Sequence, residues 1–367
     1  MTKLRVAILF GGPSSEHEIS CASAAGVLGA IDRSKYEVIP VGITKAGKWT
    51  LAADDADKWM LRKGQLASVE DEGNHVAFAT DGSRELILTD TTGSRSLGVV
   101  DVVFPVLHGP YGEDGQVQRE LEAVGVAYVG SGVLASERGM DKELSKDAFL
   151  AAGIPATPHV VLTEDSFMRD PESALEKIRG LGSLPIFVKP ARAGSSKGVT
   201  KVKNIEQLGE ALELAFSEDQ KVVIERGLSV REIEFAVLQS SDGSRPRVSL
   251  PGEIVVKTRE FYDFDAKYQD EDSVDLIVPA VIEPELLAKL QESAADAFVA
   301  LGCEGLARAD FFVTADGYFV NELNTMPGFT PLSMYPNLWQ ASGLAYSDLI
   351  DELIALGLAR IPGFSAP

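Results

Sequence analysis

The sequence predicts a mixed α/β and α+β protein in which an N-terminal domain with a parallel β-sheet is followed by two further domains. Three observations support this prediction. The length of 367 residues exceeds one ordinary domain of about 100–200 residues. Hydrophobic residues make up 45% of the chain, which is enough for several buried cores. Short apolar runs alternate with helix-length segments near the N-terminus, an order typical of βα repeats with parallel strands.

The charge balance is strongly negative. Lysine and arginine number 34 and aspartate and glutamate 55, which gives a formal net charge of −21. Such a surface repels phosphate backbones and anionic lipids, so we expect neither nucleic acid nor a membrane as partner. Two cysteines and four histidines are too few for a disulfide framework or a His-rich metal centre. Without a secretion signal or a run of about 18 apolar residues, the sequence predicts a cytoplasmic enzyme.

The first predicted unit is a strand, a glycine turn and a helix. Val6–Phe10 is an apolar run that ends at Gly11-Gly12-Pro13, and a helical pattern follows. A second strand, Tyr36–Gly42, comes after a helix-length interval. A third buried strand, Asp101–Leu107, runs into another glycine-rich turn, His108–Gly115. Together these segments predict a parallel sheet with glycine turns at the ends of its strands.

Residues 52–98 are polar and rich in Gly, Asp and Thr. We predict a helix near Asp55–Gly64 and short strands around Val76–Ala79 and Leu86–Leu88. No functional role is assigned to this segment.

The remaining elements predict two further domains. A helix over Asp141–Ala152 ends at Gly153-Ile-Pro155, and from Glu232 onward the pattern becomes rich in strands. These features indicate one boundary near Gly153-Ile-Pro155 and a second near Glu232. The predicted strands are 158–162, 185–189, 200–202, 221–225, 233–238, 251–256 and a strand pair beginning at 306. The predicted helices are 170–180, 205–216, 283–301 and 345–358.

A buried strand ending in Lys189 leads into a loop of glycines, serines and cations that includes Gly194, Ser195, Ser196 and Lys197. Backbone N–H groups in such a loop can surround phosphate oxygens, and the lysines supply positive charge. The alternative is a solvated hairpin tip. A second strand, ending at Glu225 and followed by Leu228, offers a backbone edge for an adenine, and Glu232 offers a carboxylate for ribose hydroxyls. A solvated acidic strand end is an equally good interpretation of that segment.

The segment from Arg308 to Asn324 predicts a β-hairpin around Ala315-Asp316-Gly317. A three-residue loop with Gly317 in the left-handed conformation would pair Asp310 with Glu322, and we predict this register. Arg308, Asp310, Glu322 and Asn324 then share one face, because side chains alternate along strands. Oxygen ligands of this kind suit Mg²⁺. The alternative is a network of ion pairs beside a turn.

The segment around Lys267 and Tyr268 combines aromatic and charged residues between acidic stretches. It suits a lid over a site, with both side chains reaching inward. Aromatic residues packed beneath a loop are the alternative interpretation.

Taken together, these segments strongly resemble the D-alanine–D-alanine ligases of the ATP-grasp superfamily. The matching motifs occur in the family's order from residue 4 to about 358. They are GGPSSEHEIS (11–20), HGPYGEDG (108–115), GSG (130–132), MDK (140–142), VKP (188–190), GSS (194–196), FYDFDAKY (261–268), RAD (308–310) and NELNTMPG (321–328). Gly227, Lys197 and Met326 depart from the family's commonest pattern, without removing a group that the reaction needs.

The resemblance implies a doubly wound parallel-sheet domain followed by a two-domain ATP-grasp fold, and we predict these three domains at 1–141, 142–229 and 230–367. It also implies ATP-dependent ligation of two D-alanines, through a D-alanyl phosphate, for peptidoglycan precursor synthesis. ATP would be a substrate, with two Mg²⁺ or Mn²⁺ ions per site, and the chain would form a homodimer.

The resemblance also implies a role for each matching side chain. Glu16, Ser195 and Tyr268 would form a hydrogen-bonded triad, with Glu16 binding the first substrate's ammonium group. Arg308 and the Gly328 N–H would stabilise the oxyanion. The nucleotide-binding residues would be Lys142, Lys189, Ser195, Ser196, Glu225, Leu228, Glu232 and Lys267. The substrate-binding residues would be His108, Lys267, Asp310 and Ser333, and the metal ligands Asp310, Glu322 and Asn324.

Two other functions stay open at this stage. One is a D-alanine–D-lactate ligase or another ATP-grasp carboxylate–amine ligase, against which the intact segment ending in Tyr268 argues. The other is a regulatory protein that binds ATP without catalysis. Its expected signature is loss of a metal ligand or of the oxyanion arginine, and the sequence retains both.

Overall fold

The computed structural model describes residues 3–62, 67–257 and 274–360, which form three β-sheets with flanking helices. The predicted mixed α/β class is confirmed. The strands are β1 (Leu4–Gly11), β2 (Tyr36–Ile43), β3 (Trp49–Leu51), β4 (His75–Phe78), β5 (Glu85–Asp90), β6 (Gly93–Val99), β7 (Val102–Pro105), β8 (Ala127–Tyr128), β9 (His159–Thr163), β10 (Ile186–Pro190), β11 (Thr200–Val202), β12 (Lys221–Arg226), β13 (Arg231–Leu238), β14 (Arg247–Val248), β15 (Gly252–Val256), β16 (Val274–Ile277), β17 (Leu306–Thr314) and β18 (Gly317–Asn324). The helices are α1 (His17–Ala30), α2 (Ala56–Trp59), α3 (Gln116–Val124), α4 (Val133–Met140), α5 (Lys142–Ala151), α6 (Glu164–Arg169), α7 (Pro171–Gly180), α8 (Leu208–Glu218), α9 (Pro284–Leu301), α10 (Met334–Ala341) and α11 (Tyr346–Ala359).

The first sheet has the strand order β6-β5-β4-β3-β2-β1-β7-β8. Strands β2, β1 and β7 are parallel as predicted, and β8, which was not predicted, extends them in parallel. Strand β1 ends at Gly11, which has a φ of 90°. A Cβ atom there would lie 2.3 Å from the carbonyl oxygen of Ile43, so only glycine fits the turn. The turn leads into α1 and brings Glu16 to the carboxyl end of the parallel strands, where open α/β sheets bind ligands.

Strands β3, β4, β5 and β6 extend this sheet in antiparallel pairs. The predicted strands near 76–79 and 86–88 are present as β4 and β5. The helix predicted over Asp55–Gly64 is shorter, since α2 covers only Ala56–Trp59. Strand β6 was not predicted, because its polar, exposed sequence carries no hydrophobic alternation.

The second sheet has the antiparallel order β11-β10-β12-β9 and a core of its own. Apolar residues of β10 and β12, such as Val188 and Ile224, pack on Leu208 and Leu212 of the α8 helix. The pairing of β10 with β12 sets Phe187 opposite Glu225. Lys189, two residues after Phe187, therefore lies on the same face of the sheet as Glu225.

The third sheet has the order β16-β15-β13-β17-β18, with β14 pairing to β13. Its β17–β18 hairpin does not have the predicted three-residue loop. Thr314 pairs directly with Gly317, and the Thr314 hydroxyl both accepts from the Asp316 N–H and donates to the Gly317 carbonyl. A bulge next to Asp310 then shifts the register, so that Asp310 pairs with Glu322 after all. The predicted pairing is confirmed although its predicted cause is wrong.

The two faces of the third sheet belong to different cores. One face packs on α9, α4 and α5, with Phe149 and Phe298 fully buried between them. The other face joins α1, α10 and α11 in a core that also contains β1 and β7. Helix α5 thus packs on the third sheet, although the predicted boundary at 141 would assign it to the same domain as the second sheet. The domain boundaries at 141 and 229 stay a prediction. No helix among the described residues has the length and apolar character needed to cross a bilayer.

Candidate active site

A cleft with a volume of about 1490 Å³ lies where the three sheets meet. Every predicted site residue that the structure describes lines it. These residues are Glu16, His108, Lys142, Lys189, Ser195, Ser196, Glu225, Leu228, Glu232, Arg308, Asp310, Glu322, Asn324, Gly328 and Ser333. Lys267 and Tyr268 lie outside the described residues, so the predicted lid and the tyrosine of the triad stay predictions.

One side of the cleft is formed by lysines around a buried carboxylate. Lys189 Nζ lies 2.7 Å from Glu225 Oε2, and Lys146 Nζ lies 2.9 Å from Glu225 Oε1. The Lys146 and Glu225 side chains are only 1% and 2% exposed. Lys142 Nζ donates to the carbonyl oxygen of Ala193, on the predicted phosphate loop, at 2.7 Å. The arrangement gathers positive charge beside that loop and balances it with one fixed carboxylate.

The charge state of this cluster follows from its burial and its ion pairs. Burial alone would raise the pKa of Glu225, but the ammonium groups of Lys146 and Lys189 hold it at about 2. Burial lowers the pKa of Lys142, and the nearby Glu322 carboxylate opposes this change. Glu225 is therefore an acceptor at any pH at which the protein works.

The predicted phosphate loop reaches across the cleft to the first sheet. Ser195 and Ser196 have φ values of 48° and 57°, a left-handed conformation that residues other than glycine rarely adopt. The Ser195 hydroxyl donates to Glu16 Oε1 at 2.5 Å. This hydrogen bond brings together two of the three predicted triad residues from segments 179 positions apart in the chain.

The opposite side of the cleft is the face of the third sheet that carries Arg308. The guanidinium donates to both oxygens of Asp310, each at 2.7 Å, and its Nε lies 3.1 Å from Glu234 Oε2. Asn324 Nδ2 donates to Asp310 Oδ2 at 2.9 Å. Burial would lower the pKa of Arg308, but Asp310 and Glu234 raise it further above its usual range. A permanently charged, five-donor group thus points into the cleft.

His108 connects the first sheet to the loop after β18. Its Nδ1 lies 3.1 Å from the Met326 carbonyl oxygen, which only accepts, so Nδ1 carries the proton. Its Nε2 then accepts from the Ser23 hydroxyl at 2.8 Å, and that hydroxyl accepts from the Phe329 N–H at 3.1 Å. Burial lowers the pKa of His108, which agrees with this neutral form.

Gly328 and Ser333 lie next to each other beyond this loop. The Ser333 hydroxyl accepts from the Thr330 N–H at 3.0 Å and lies 2.8 Å from Thr330 Oγ1. A Cβ atom on Gly328 would lie 2.9 Å from Ser333 Oγ, so a side chain there would displace the serine. Glycine therefore leaves room for the hydroxyl at the end of the cleft predicted to bind the second substrate.

Leu228 and Glu232 are half-buried at the rim of the cleft next to the second sheet. Their placement where the chain passes from β12 to β13 agrees with an adenosine site there, and their contacts with a nucleotide stay predictions.

Three buried or cleft-lining residues escaped the sequence analysis. Lys146 follows Lys142 by four positions on α5, so helical spacing alone would have placed it on the same face. Glu234 lies two positions after Glu232 on β13, so the alternation of side chains along a strand would have placed both on the same face. Glu113 belongs to the quoted HGPYGEDG motif, but nothing in its local sequence distinguishes it from the neighbouring Asp114.

Comparison with known proteins agrees with this geometry. The family model described as D-ala D-ala ligase N-terminus matches residues 5–131, and the one described as D-ala D-ala ligase C-terminus matches residues 149–355. The D-alanine–D-alanine ligase of Paenarthrobacter aurescens is 52% identical over 364 residues, covering 98% of this chain and 96% of that protein. The corresponding protein of Streptomyces coelicolor is 48% identical over 371 residues, covering 98% of this chain and 94% of that protein.

Solved structures give the same result at the level of the fold. The VanG D-Ala:D-Ser ligase from Enterococcus faecalis superposes with a TM-score of 0.84 at 34% identity, covering 97% of this chain and all of that one. The D-alanine–D-alanine ligase from Coxiella burnetii superposes with a TM-score of 0.81 at 33% identity, covering 98% of this chain and 95% of that one.

Proposed function

We propose an assignment of individual side chains to the steps of peptide-bond formation, from the premise that this chain belongs to the D-alanine–D-alanine ligase family. The protein is an ATP-dependent ligase that joins two D-alanines into D-alanyl-D-alanine, the dipeptide used for peptidoglycan precursors. The observation that supports the assignment best is that the lysine cluster around Glu225 and the Arg308 face line one cleft.

The reaction divides into two transfers. In the first, a carboxylate oxygen of one D-alanine attacks the γ-phosphorus of ATP, and the bond to the bridging oxygen of ADP breaks. In the second, the amine of the other D-alanine attacks the carbonyl carbon, loses a proton, and phosphate leaves. Phosphorylation is needed because a free carboxylate is a poor electrophile. Both steps move negative charge, so fixed cations and N–H donors in the cleft lower their barriers.

We assign the phosphate side to Lys142, Lys189 and the loop that carries Ser195 and Ser196. The lysines offset the charge of the triphosphate, and the loop with the left-handed serines lines the cleft, where its N–H groups would bind phosphate oxygens. Lys146 stays on Glu225 and keeps that carboxylate ionised when Lys189 moves toward a phosphate. Leu228 and Glu232 are assigned to the adenine and the ribose.

The acyl side is assigned to Glu16, Arg308 and the Gly328 N–H. Glu16 binds the ammonium group of the first D-alanine. The Arg308 guanidinium, held by Asp310, stabilises the carbonyl oxygen that becomes an oxyanion when the second amine attacks, and the Gly328 N–H is the second donor to it. His108 packs beside the first substrate, and Ser333 with Thr330 binds the carboxylate of the second.

The donor set around Asp310 fits Mg²⁺ or Mn²⁺. In the described part of the chain, no group of three or more His, Cys, Asp or Glu side chains is placed to hold a metal ion. The set around Asp310 consists instead of two carboxylates, Asp310 and Glu322, and the Asn324 amide. Such hard oxygen ligands leave coordination positions for phosphate oxygens. Asp310, Glu322 and Asn324 would hold two ions, and these would neutralise charge on the phosphates of ATP. Asp310 meanwhile accepts from Arg308 and Asn324, which fixes its orientation.

The assigned reaction is tested by phosphate release from ATP with Mg²⁺. Release is expected with D-alanine and not with L-alanine or without amino acid, and D-alanyl-D-alanine is the expected product. D-Lactate or D-serine, each added together with D-alanine, tests the specificity for the second substrate, since one structural neighbour is a D-Ala:D-Ser ligase. ATP binding without release under any of these conditions would contradict the assignment and favour a regulatory role.

Replacing Ser195 by alanine is expected to raise the KM for D-alanine about tenfold at the first site. The variant loses one hydrogen bond to the charged Glu16, a bond worth about 1.5–3 kcal/mol when its partner stays ionised. Steady-state kinetics at saturating ATP measure this change. Ser217→Ala, at an exposed serine that donates to the Leu214 carbonyl, is the matched control. An unchanged KM for D-alanine in Ser195→Ala would contradict the role of the pair.

Three further expectations complete the proposal. The chain acts in the cytoplasm, forms a homodimer, and divides into domains at 1–141, 142–229 and 230–367. The resemblance of the motifs to the family supports the first two. The third is supported by the separate core of the second sheet, within residues 160–224. Sedimentation at several protein concentrations measures the oligomeric state.

A further inference from the structure

Glu113 lines the cleft but has no part in the assignment above. Its Oε2 accepts from the Gly109 N–H at 2.7 Å, and its Oε1 accepts from the Met326 N–H at 3.3 Å. Gly109 follows β7 of the first sheet, whereas Met326 follows β18 of the third. One carboxyl group therefore joins two loops that are more than 200 residues apart in the chain.

The loop at Met326 is held from both sides. The Met326 N–H donates to Glu113, and the Met326 carbonyl accepts from His108 Nδ1. Three residues later, the Phe329 N–H donates to the Ser23 hydroxyl, which in turn lies 2.8 Å from His108 Nε2. Side chains of the first sheet and α1 thus fix the backbone of residues 326–329, and Gly328 lies within this stretch.

We propose that Glu113 is a positioning residue that fixes the 326–329 loop and so aligns the Gly328 N–H with the oxyanion. The proposal rests on the oxyanion role assigned to Gly328 above. An N–H donor stabilises a developing charge well only if it is held in place before the reaction, because reorientation costs part of the gain. Gly328 has no side chain to hold its own backbone, so the anchor has to come from neighbouring residues.

The charge of Glu113 couples this anchor to substrate binding. Burial and the nearby Glu16 carboxylate raise the pKa of Glu113 to about 8, while the Gly109 and Met326 N–H groups and Arg308 oppose this rise. His108, also facing this region, is neutral. A protonated carboxyl group has fewer acceptor positions than a carboxylate. The hydrogen bond from Met326 is the longer and weaker of the two, so we expect protonation to weaken it first. The ionised form therefore holds the loop more firmly.

A substrate ammonium group at Glu16 cancels part of the charge that raises the pKa of Glu113. D-Alanine binding then favours the Glu113 carboxylate and tightens its hold on Met326. In the free protein, the hydrogen bond from the Met326 N–H to Glu113 therefore becomes stronger as pH rises through the Glu113 pKa of about 8. With D-alanine bound, the midpoint lies at lower pH.

Hydrogen exchange of the Met326 amide tests the proposal without relying on activity. Glu113→Gln keeps the shape and one acceptor but cannot ionise, so we expect this amide to exchange about tenfold faster at pH 8.5, from the loss of one hydrogen bond to a charged group. Glu120→Gln, which changes a surface acceptor of the Tyr111 hydroxyl, is the matched control and should leave the loop unchanged. In Glu113→Gln we also expect kcat to fall about tenfold, with the KM for ATP within twofold of wild type.

The dependence on pH separates positioning from general stability. The ratio of wild-type to Glu113→Gln kcat should grow as pH rises through the Glu113 transition. Unchanged exchange at Met326, a ratio independent of pH, or faster exchange throughout the chain would each overturn the proposal. If the Met326 amide responds as expected but the wild type releases no phosphate with D-alanine, the anchor is supported and the ligase assignment fails.

Discussion

Replacing Arg308 by alanine is expected to lower kcat about 10²–10³-fold, while the Kd for ATP changes less than about threefold. Arg308 presents a charged fork to the cleft, and its removal takes away the stronger of the two assigned oxyanion donors. The nucleotide contacts proposed above come from the second sheet and from Glu232, and the variant leaves these residues intact. Steady-state kinetics give kcat, and calorimetry without D-alanine gives ATP affinity.

The variant also leaves Asp310 and Glu234 facing each other without their shared cation. Arg308→Lys therefore serves as a second variant, because it keeps the charge but loses the planar fork. Its kcat should also fall, by a smaller factor, at nearly normal stability. Arg247→Ala, at an exposed ion pair with Glu352, is the matched control for loss of an arginine. A kcat near wild type in Arg308→Ala, or an equal loss of ATP affinity, would refute the oxyanion assignment.

Replacing Glu225 by glutamine is expected to lower the free energy of unfolding by about 3–5 kcal/mol. The substitution leaves the ammonium groups of Lys146 and Lys189 buried without their carboxylate. Urea denaturation with an unchanged m-value measures the loss. Glu352→Gln is the control, since its ion pair with Arg247 is exposed on both sides and should contribute less than about 1 kcal/mol.

A double variant sharpens this test. Adding Lys146→Met to Glu225→Gln removes one of the two unpaired cations, so part of the lost stability should return. The dependence on pH gives a second readout. The pKa of Glu225 falls from its ordinary 4.5 to about 2, so its contribution is present above pH 4.5 and is lost as pH falls toward 2. A destabilisation below 1 kcal/mol, or no recovery in the double variant, would show that the pair is not the main constraint.

Local sequence patterns predicted the elements with strong periodicity. The buried parallel strands and the long α9 helix follow directly from apolar runs and amphipathic spacing. Strand β6 was missed because its residues are largely exposed and its pairing with β5 stabilises it instead. The predicted pairing of Asp310 with Glu322 was correct, but the predicted three-residue turn was not. The pairing results from a bulge beside Asp310, and a bulge depends on packing across the sheet and not on the turn residues.

The candidate site was predicted from motifs, and contact between Glu16 and Ser195 was expected only from the family resemblance. The sequence contains Glu16 and Ser195, but only the folded chain brings their side chains to within hydrogen-bonding distance. Lys146 and Glu234 were missed because each acts as a counter-charge to a residue that is itself the functional candidate. Such supporting residues carry no motif, and burial and partner distances are needed to find them.

The second sheet keeps its own hydrophobic core, whereas α1, β1 and β7 share one with α10, α11 and the third sheet. Because the small unit carrying β9–β12 has a core that it does not share with the larger unit, we expect it to open in hydrogen exchange as a cooperative unit of its own. The Ser195–Glu16 hydrogen bond joins the small unit to the large one, so we expect it to break whenever the phosphate loop moves away from the start of α1.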